Sequence, residues 1–266
     1  MKLSIVGMQT AGSLGDVAAN LVELRAAARE AKKGGGELVI TPELFLTGYN
    51  IGDLVFELAK QNLIQMVQVI AREERIAMIV GLPEHEAGRF YNSAVFLDEG
   101  GVVRGTHRKT HLFGSLDRNS FASGQRLTST VDYRGVRLAM LICYDVEFPE
   151  TVRAAALAGA HAVIVPTALM TPYDFIAEQV VRARAWENQI YVAYLNHDGT
   201  EGDLSYVGRS SIIDPSARVL DSIVHGTRLL TAVIDTEIVD EARRINPYLD
   251  DRRPELYDRS VADEPV

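Results

Sequence analysis

The stretch Leu138-Ala139-Met140-Leu141-Ile142-Cys143-Tyr144-Asp145-Val146-Glu147-Phe148-Pro149-Glu150 decides how the fold is read. Val136 to Ile142 is apolar except for Arg137, which predicts a buried strand. Pro149 carries the fixed φ suited to a first helical turn, and the run on to Leu157 predicts a helix. A buried strand feeding a helix is the unit of α/β layering. The only cysteine of the chain, Cys143, stands at the junction.

The same alternation extends in both directions. Leu3–Met8, Leu38–Ile40 and Ile76–Val80 read as strands, and Val17–Ala31 and Leu58–Arg75 as helices. Gly34-Gly35-Gly36 ends the first helix rather than opening one after a strand, so it is not a dinucleotide fingerprint. Ser93–Leu97 and Val102–Arg108 form a strand pair around the turn Asp98-Glu99-Gly100-Gly101. Beyond Leu157 come strands at Ala162–Val165 and Ile190–Leu195, with a helix at Tyr173–Asn188 between them. A late hairpin turns at Asp214-Pro215-Ser216-Ala217, and Leu229–Ile234 is a last strand. No low-complexity linker interrupts the chain, so residues 1–266 are expected to form one domain in which helices cover two β-sheets. A single doubly wound sheet is the competing architecture. The polar tail from about Asn246 is rich in Pro and Asp, and is expected to run extended, against a neighbouring subunit.

With 266 residues, 47% of them hydrophobic, the chain has material for a large core. A formal net charge of -9 argues against binding a phosphate backbone, which needs clustered Lys and Arg, so no nucleic-acid partner is expected. One cysteine rules out an intramolecular disulfide and fits a reducing, cytoplasmic compartment. The N-terminal apolar run is too short for a signal-peptide core, and no stretch approaches the ~20 apolar residues of a membrane span. The expectation is a soluble protein without a membrane partner.

Three polar side chains follow on predicted strands, where α/β sheets collect functional groups. Cys143 sits on a strand-to-helix turn, where backbone N–H groups and a helix N-terminus favour the thiolate and offer an oxyanion site. Glu43, in Leu38-Val39-Ile40-Thr41-Pro42-Glu43, is placed to act as a general base if burial raises its pKa. Lys109, after Val102–Arg108, offers an ammonium for a tetrahedral intermediate. Base, electrophile and nucleophile are the parts of acyl transfer. A Cys–His pair is the rival, with His107, His111, His161 and His197 as candidates, none carrying a local signature with Cys143. Each group also has a bland reading: a structural thiol, a surface acid, a solvated basic cluster. No metal-ligand spacing is present, so no metal and no cofactor are expected.

Thr41-Pro42-Glu43, Arg108-Lys109-Thr110-His111 and Ile142-Cys143-Tyr144-Asp145 together resemble the three signature regions of the nitrilase, or carbon–nitrogen hydrolase, superfamily over almost the whole chain. The resemblance implies a four-layer αββα sandwich, a homodimer or higher homo-oligomer built through the outer helices, and a Glu43–Lys109–Cys143 triad. Within the superfamily, Phe45–Gly52, Lys109–Gly114, Pro166–Phe175 and Val181–Ala185 are similar to bacterial aliphatic amidases, including 5-aminopentanamidase and stereoselective amidases. The family often carries a second active-site Glu shortly after the lysine. By position the match here is Asp117, one methylene shorter.

On that basis Cys143 attacks an amide carbonyl, Glu43 moves the proton, and Lys109 with the Tyr144 N–H holds the oxyanion, giving an acid and ammonia through a thioester. Tyr49, Tyr144, Thr167 and Met170 are expected to shape an aliphatic acyl slot. A cationic substrate end would meet Asp145, Glu147 or Asp174, unless these are simply solvated. N-carbamoyl-amine hydrolases and nitrilases share the triad and are alternatives, and a non-catalytic interaction protein is a further one.

Overall fold

The computed structural model describes residues 1–257, so the last part of the expected tail lies outside the described residues. In chain order the strands are β1 (Lys2–Gln9), β2 (Leu38–Ile40), β3 (Ala77–Glu86), β4 (Arg89–Leu97), β5 (Val103–Arg108), β6 (Ser129–Tyr133), β7 (Val136–Met140), β8 (Ala162–Thr167), β9 (Tyr191–Asn196), β10 (Asp198–Glu201), β11 (Leu204–Val207), β12 (Ser210–Ile213), β13 (Val219–Ile223) and β14 (Arg228–Asp235). The helices are α1 (Val17–Lys33), α2 (Leu54–Leu58), α3 (Leu63–Glu74), α4 (Gly114–Ser120), α5 (Pro149–Leu157), α6 (Val181–Asn188), α7 (Thr236–Ile245) and α8 (Pro254–Tyr257).

Two six-stranded sheets result, in the orders β14-β1-β2-β3-β4-β5 and β13-β12-β9-β8-β7-β6. Each has three parallel strands at its heart, β1–β2–β3 and β7–β8–β9, extended by antiparallel strands on both sides. The competing single sheet is thereby excluded.

Strand alternation explains the layering. Leu3, Ile5, Leu38, Ile40, Ala77 and Ile79 of the first sheet face Leu138, Met140, Ala162, Ile164, Ala193 and Leu195 of the second in one buried cluster. Side chains of the opposite parity, such as Val6, Met8, Val39 and Met78, pack against Leu24, Ala28 and Ala31 of α1 and Val67 and Ile70 of α3. Ala139, Leu141, Val163 and Val192 do the same against Val152 and Ala155 of α5 and Val181 and Ala185 of α6. The stack is α-β-β-α, as the resemblance implied. Each fully buried aliphatic side chain contributes roughly 1.5–3 kcal/mol, so strands apolar on both faces have no stable alternative to being covered on both. The sheets approach so closely that a Cβ on Gly7 would lie 2.0 Å from Leu195 Cδ1.

Several elements depart from the expected boundaries. The helix expected over Leu58–Arg75 begins later, as α3 at Leu63, and Ala59–Asn62 separate it from the short α2, which ends at Leu58. α4, β6 and the β10–β11 hairpin lack a strong apolar period. α7 buries only Thr236 and Val239, and is started instead by the Asp235 carboxylate, which accepts from Glu237 N–H. The described part of the tail turns through Pro247 into the short α8 rather than running fully extended. There Tyr248 meets the Trp186 ring edge-on and Leu249 packs on the outer cluster of the second sheet.

Candidate active site

Glu43, Lys109 and Cys143 each stand a short step past the end of a strand, β2, β5 and β7 respectively, and the two-sheet stack brings the three together. The Glu43 loop is shaped by close backbone approach. Thr41 N–H donates to Ile79 O at 3.0 Å, and Gly81 N–H donates to Thr41 Oγ1 at 3.0 Å. A Cβ on Gly81 would lie 2.3 Å from Pro42 O and 2.6 Å from Leu44 N, so only glycine lets the loop lie on β3. Lys109 N–H donates to Asn92 O at 2.8 Å, which continues the β4–β5 pairing as far as the lysine.

Cys143 takes φ 45, in the left-handed region, as the first residue of a 3₁₀ turn Cys143–Glu147 that precedes α5. A non-glycine residue held there stores strain and is a mark of a nucleophile presented on a sharp strand-to-helix turn. A helical turn leaves its first N–H groups without intrahelical acceptors, and the N–H after the nucleophile belongs to Tyr144.

The side chains form one buried network. Lys109 Nζ lies 2.7 Å from Glu43 Oε1 and 2.7 Å from Asp117 Oδ2. Asn92 Nδ2 donates to Glu43 Oε1 at 2.6 Å, and the Tyr49 hydroxyl donates to Asp117 Oδ1 at 2.9 Å. Glu43 Oε2 has no hydrogen-bond partner among the described residues. Burial raises the Glu43 carboxyl above the ordinary carboxylate range, opposed by the Lys109 ammonium and reinforced by Asp117. Burial alone would depress Lys109, yet the field of Glu43 and the groups around it outweighs that and holds the ammonium well above its usual value.

The thiol departs from expectation. Burial pushes Cys143 well above an ordinary thiol, the Glu43 carboxylate pushes it further, and the Lys109 ammonium only partly offsets both. The backbone N–H groups expected to favour a resting thiolate are outweighed by desolvation next to an acid. Its surroundings therefore favour the neutral thiol over the thiolate at rest.

Asp145 is not a substrate partner. It is fully buried, and Oδ1 accepts from Thr110 N–H, the Thr110 hydroxyl, His111 N–H and His111 Nδ1 at 3.2, 3.0, 2.9 and 2.9 Å. Oδ2 accepts from Ile142 N–H at 3.1 Å and lies 3.1 Å from His107 Nε2. One carboxylate thus ties the lysine loop to the cysteine turn, and the two histidines pull its pKa down despite burial. These partners leave no Cys–His pair. His197 Nε2 donates to Glu43 O at 2.6 Å, since a carbonyl only accepts, and His161 Nδ1 accepts from Arg137 N–H. Asp174 is engaged by Arg209 at 2.9 Å.

Cys143 opens onto a cavity of about 200 Å³. Tyr49, Tyr144 and Met170 line it, as expected, together with Phe113, Leu169 and Tyr173. Glu147 also lines it. Thr167 does not: it is fully buried, and its carbonyl accepts from Glu43 N–H at 3.3 Å. Asn92, Gly81 and Phe113 escaped the sequence reading. Only Asn92 left a trace, as an amide in an otherwise apolar-to-aromatic strand. Among the described residues no group of His, Cys, Asp and Glu is placed to hold a metal ion, and no helix is long and apolar enough to cross a membrane.

A buried thiol, a carboxylate and an ammonium at adjoining strand ends of an αββα sandwich define a cysteine hydrolase of the nitrilase type. Residues 2–244 match the family model described as carbon–nitrogen hydrolase. The chain is 44% identical over 248 residues, 91% of this chain and 86% of the relative, to a Pseudomonas protegens protein described as "Hydrolase in pqqF 5'region". It is 39% identical to an (R)-stereoselective amidase of Pseudomonas sp., over 95% of this chain and 92% of that one. The solved amidase of Nesterenkonia sp. superposes with a TM-score of 0.88 at 34% identity, covering 96% of this chain and 95% of that one. Mutant forms of that amidase have been seen in complex with butyramide and with the acetamide moiety of fluoroacetamide added covalently at the active-site cysteine. The chain belongs to the carbon–nitrogen hydrolase family, and is an enzyme of its amidase and nitrilase class with Cys143 as the active-site cysteine.

Proposed function

We propose that the enzyme is an amidase that hydrolyses small aliphatic carboxamides, amino-substituted ones included, to the acid and ammonia, with Glu43, Lys109 and Asp117 serving Cys143. The observation that carries this reading is the free Glu43 Oε2. Its partner oxygen is held by Lys109 and Asn92, while Oε2 is buried without a donor and so is available for a proton. A carboxylate raised by burial is a stronger base toward the neighbouring thiol than an ordinary glutamate is.

In the first half-reaction Cys143 Sγ bonds to the amide carbon while its proton passes to Glu43. The carbonyl electron pair becomes an oxyanion held by the Lys109 ammonium and the Tyr144 N–H. The carbon–nitrogen bond then breaks, Glu43 returns the proton to the departing nitrogen, and ammonia leaves a thioester. In the second half water attacks the thioester carbon and gives a proton to Glu43. The carbon–sulfur bond breaks, and the thiol regains that proton as the acid departs. Asp117 holds the ammonium side-on to this traffic, and no cofactor enters the balance. A cavity of about 200 Å³ is below the ~300–1,000 Å³ of drug-sized sites, which favours short acyl chains.

Purified protein tested for ammonia release on aliphatic, amino-substituted and carbamoyl amides and on nitriles decides the reading. Ammonia without carbon dioxide from a carboxamide supports it. Carbon dioxide release, or turnover of nitriles alone, would replace it with one of the sister activities. Cys143→Ala is expected to abolish turnover and Lys109→Ala to lower kcat by about 10²–10³-fold, the loss typical of one oxyanion donor. We further propose a cytoplasmic homodimer joined through the outer helices, where Leu157 of α5 and Trp186 of α6 are exposed. Light scattering that returns a monomer mass would remove that part.

A further inference from the structure

Glu201 is a buried carboxylate that stands outside the lining of the reaction cavity. It closes β10, and its Oε2 accepts from Tyr49 N–H at 2.9 Å, from Asn50 N–H at 2.8 Å and from the Tyr206 hydroxyl at 2.8 Å. Asn50 Nδ2 also donates to Glu201 O at 3.1 Å. Burial and the Glu201 charge hold the Tyr206 phenol well above its usual value, so it stays a donor. Gly48 makes the pairing possible. It takes φ 83, in the left-handed region, and the two N–H groups that follow it converge on the carboxylate as a backbone cradle for an anion. A Cβ on Gly48 would lie 2.7 Å from Leu14 Cδ1 and 3.2 Å from Glu201 Oε1.

Tyr49 links this carboxylate to the active site. Glu201 grips the Tyr49 backbone, and the Tyr49 hydroxyl donates to Asp117 Oδ1 at 2.9 Å. The other Asp117 oxygen holds Lys109 Nζ at 2.7 Å. The same hairpin braces another part of the cavity wall. Val207 N–H donates to Leu169 O at 3.1 Å, Thr171 N–H donates to Ser205 O at 2.9 Å, and Met170 bridges to Tyr206. Tyr49 follows β2 of the first sheet, whereas Leu169 and Met170 follow β8 of the second. One hairpin therefore fixes wall residues supplied by both sheets.

We propose that Glu201 is a positioning residue, which holds the Tyr49 backbone so that the Tyr49 hydroxyl orients Asp117, and Asp117 in turn orients the Lys109 ammonium. This rests on the reading above in one point, that Lys109 and Asp117 serve Cys143. Because the chain ends on the group that meets the oxyanion, a fault in it falls on kcat more than on KM. Small displacements of such a group are enough to cost rate.

A double-mutant cycle tests this on the full-length protein, with kcat and KM read by ammonia release from a short carboxamide and thermal melts run alongside. Glu201→Gln keeps the shape and replaces the charge with a weaker neutral acceptor. Tyr49→Phe keeps the ring and removes only the hydroxyl that reaches Asp117. Glu201→Gln is expected to lower kcat by about 10-fold, the scale of one weakened hydrogen bond to a charged group. In the Tyr49→Phe background the same substitution is expected to cost no more than about 2-fold, because the link it acts through is already cut. Losses that multiply in the double variant overturn the proposal, since a carboxylate that only pins the hairpin would lower rate and melting temperature alike in both backgrounds. Wild-type kcat in either single variant overturns it as well. If Glu201→Gln does not fold, Tyr206→Phe, which removes one donor to the carboxylate, carries the same cycle with the same outcomes. A fully active Lys109→Ala would remove the active-site reading itself, whereas an inactive Lys109→Ala beside multiplying losses removes this proposal alone.

Discussion

Asp117 Oδ2 stands 2.7 Å from Lys109 Nζ, the same separation at which Glu43 Oε1 holds that ammonium. The shorter acid reaches the lysine because α4 brings it close. Phe113 N–H donates to Asp117 Oδ2 at 2.8 Å, and Tyr49 fixes Oδ1. Asp117→Ala is expected to destabilise the fold by about 3–5 kcal/mol, since it breaks a buried ion pair from one side, and to lower kcat as well. Asp117→Glu is expected to remain impaired, because an added methylene in a packed site costs about 1–3 kcal/mol. Thermal melts and ammonia-release kinetics on the two variants check this, and a fully active, fully stable Asp117→Ala would refute it.

The direction of the Glu43 and Cys143 shifts sets the pH profile. In the proposed mechanism Glu43 serves as base only when ionised, and its pKa is raised, so kcat/KM should climb with pH through an inflection above the ordinary glutamate value of about 4.3. The thiol is also raised, so free Cys143 should alkylate slowly at neutral pH and show no resting-thiolate absorbance there. A thiolate titrating below about pH 7 would contradict this assignment of proton positions.

Asp145 couples the lysine loop to the cysteine turn, and its pKa is lowered in the fold. A depressed carboxylate stabilises the folded state above its unfolded value, about 3.9, and that stabilisation is lost as pH falls from there through the folded value. Asp145→Ala is expected to lower stability by about 3–5 kcal/mol at neutral pH and to flatten the acid limb of the stability curve. Denaturant melts of both proteins across that acid range check it. Parallel acid limbs would mean that the carboxylate does not stabilise the fold.

Gly81→Ala tests how tightly the Glu43 loop is specified. With Pro42 O 2.3 Å from the added Cβ, the loop must move, and the Glu43 carboxylate proposed as the base moves with it. Activity should fall more steeply than stability, in line with the large rate losses that follow from a shift of about 1 Å in a catalytic group. Wild-type kcat in this variant would show that the loop has slack.

Apolar strands at Leu3–Met8, Leu38–Ile40 and Val136–Ile142 were legible because burial on both faces leaves an unbroken hydrophobic run. The positions of Glu43 and Cys143 at strand ends were legible for the same reason, since a polar group terminating such a run is conspicuous, whereas Lys109 follows the polar strand Val103–Arg108 and stood out only through the motif Arg108-Lys109-Thr110-His111. α4 was not legible, because its start depends on the Asp117 carboxylate accepting from the Phe113 N–H, a contact that leaves little period in the sequence. The break at Ala59–Asn62 was hidden inside a continuous helix-forming composition.

Sequence alone determined the alternation of buried strands and helices and which residue types stand at the strand ends, because both follow from the pattern of apolar side chains along one chain, while the αββα order was implied only by the family resemblance and the choice of two sheets over one was decided by the strand pairing. Whether those side chains meet, and in what protonation state, was decided only by tertiary structure. Asn92 reaches Glu43 from another strand, and Asp145 gathers two of the histidines that were candidate partners for the thiol. Burial of Cys143 beside Glu43 then reversed the expected direction of its pKa, since desolvation and charge depend on what surrounds a group in space and not on what precedes it in the chain.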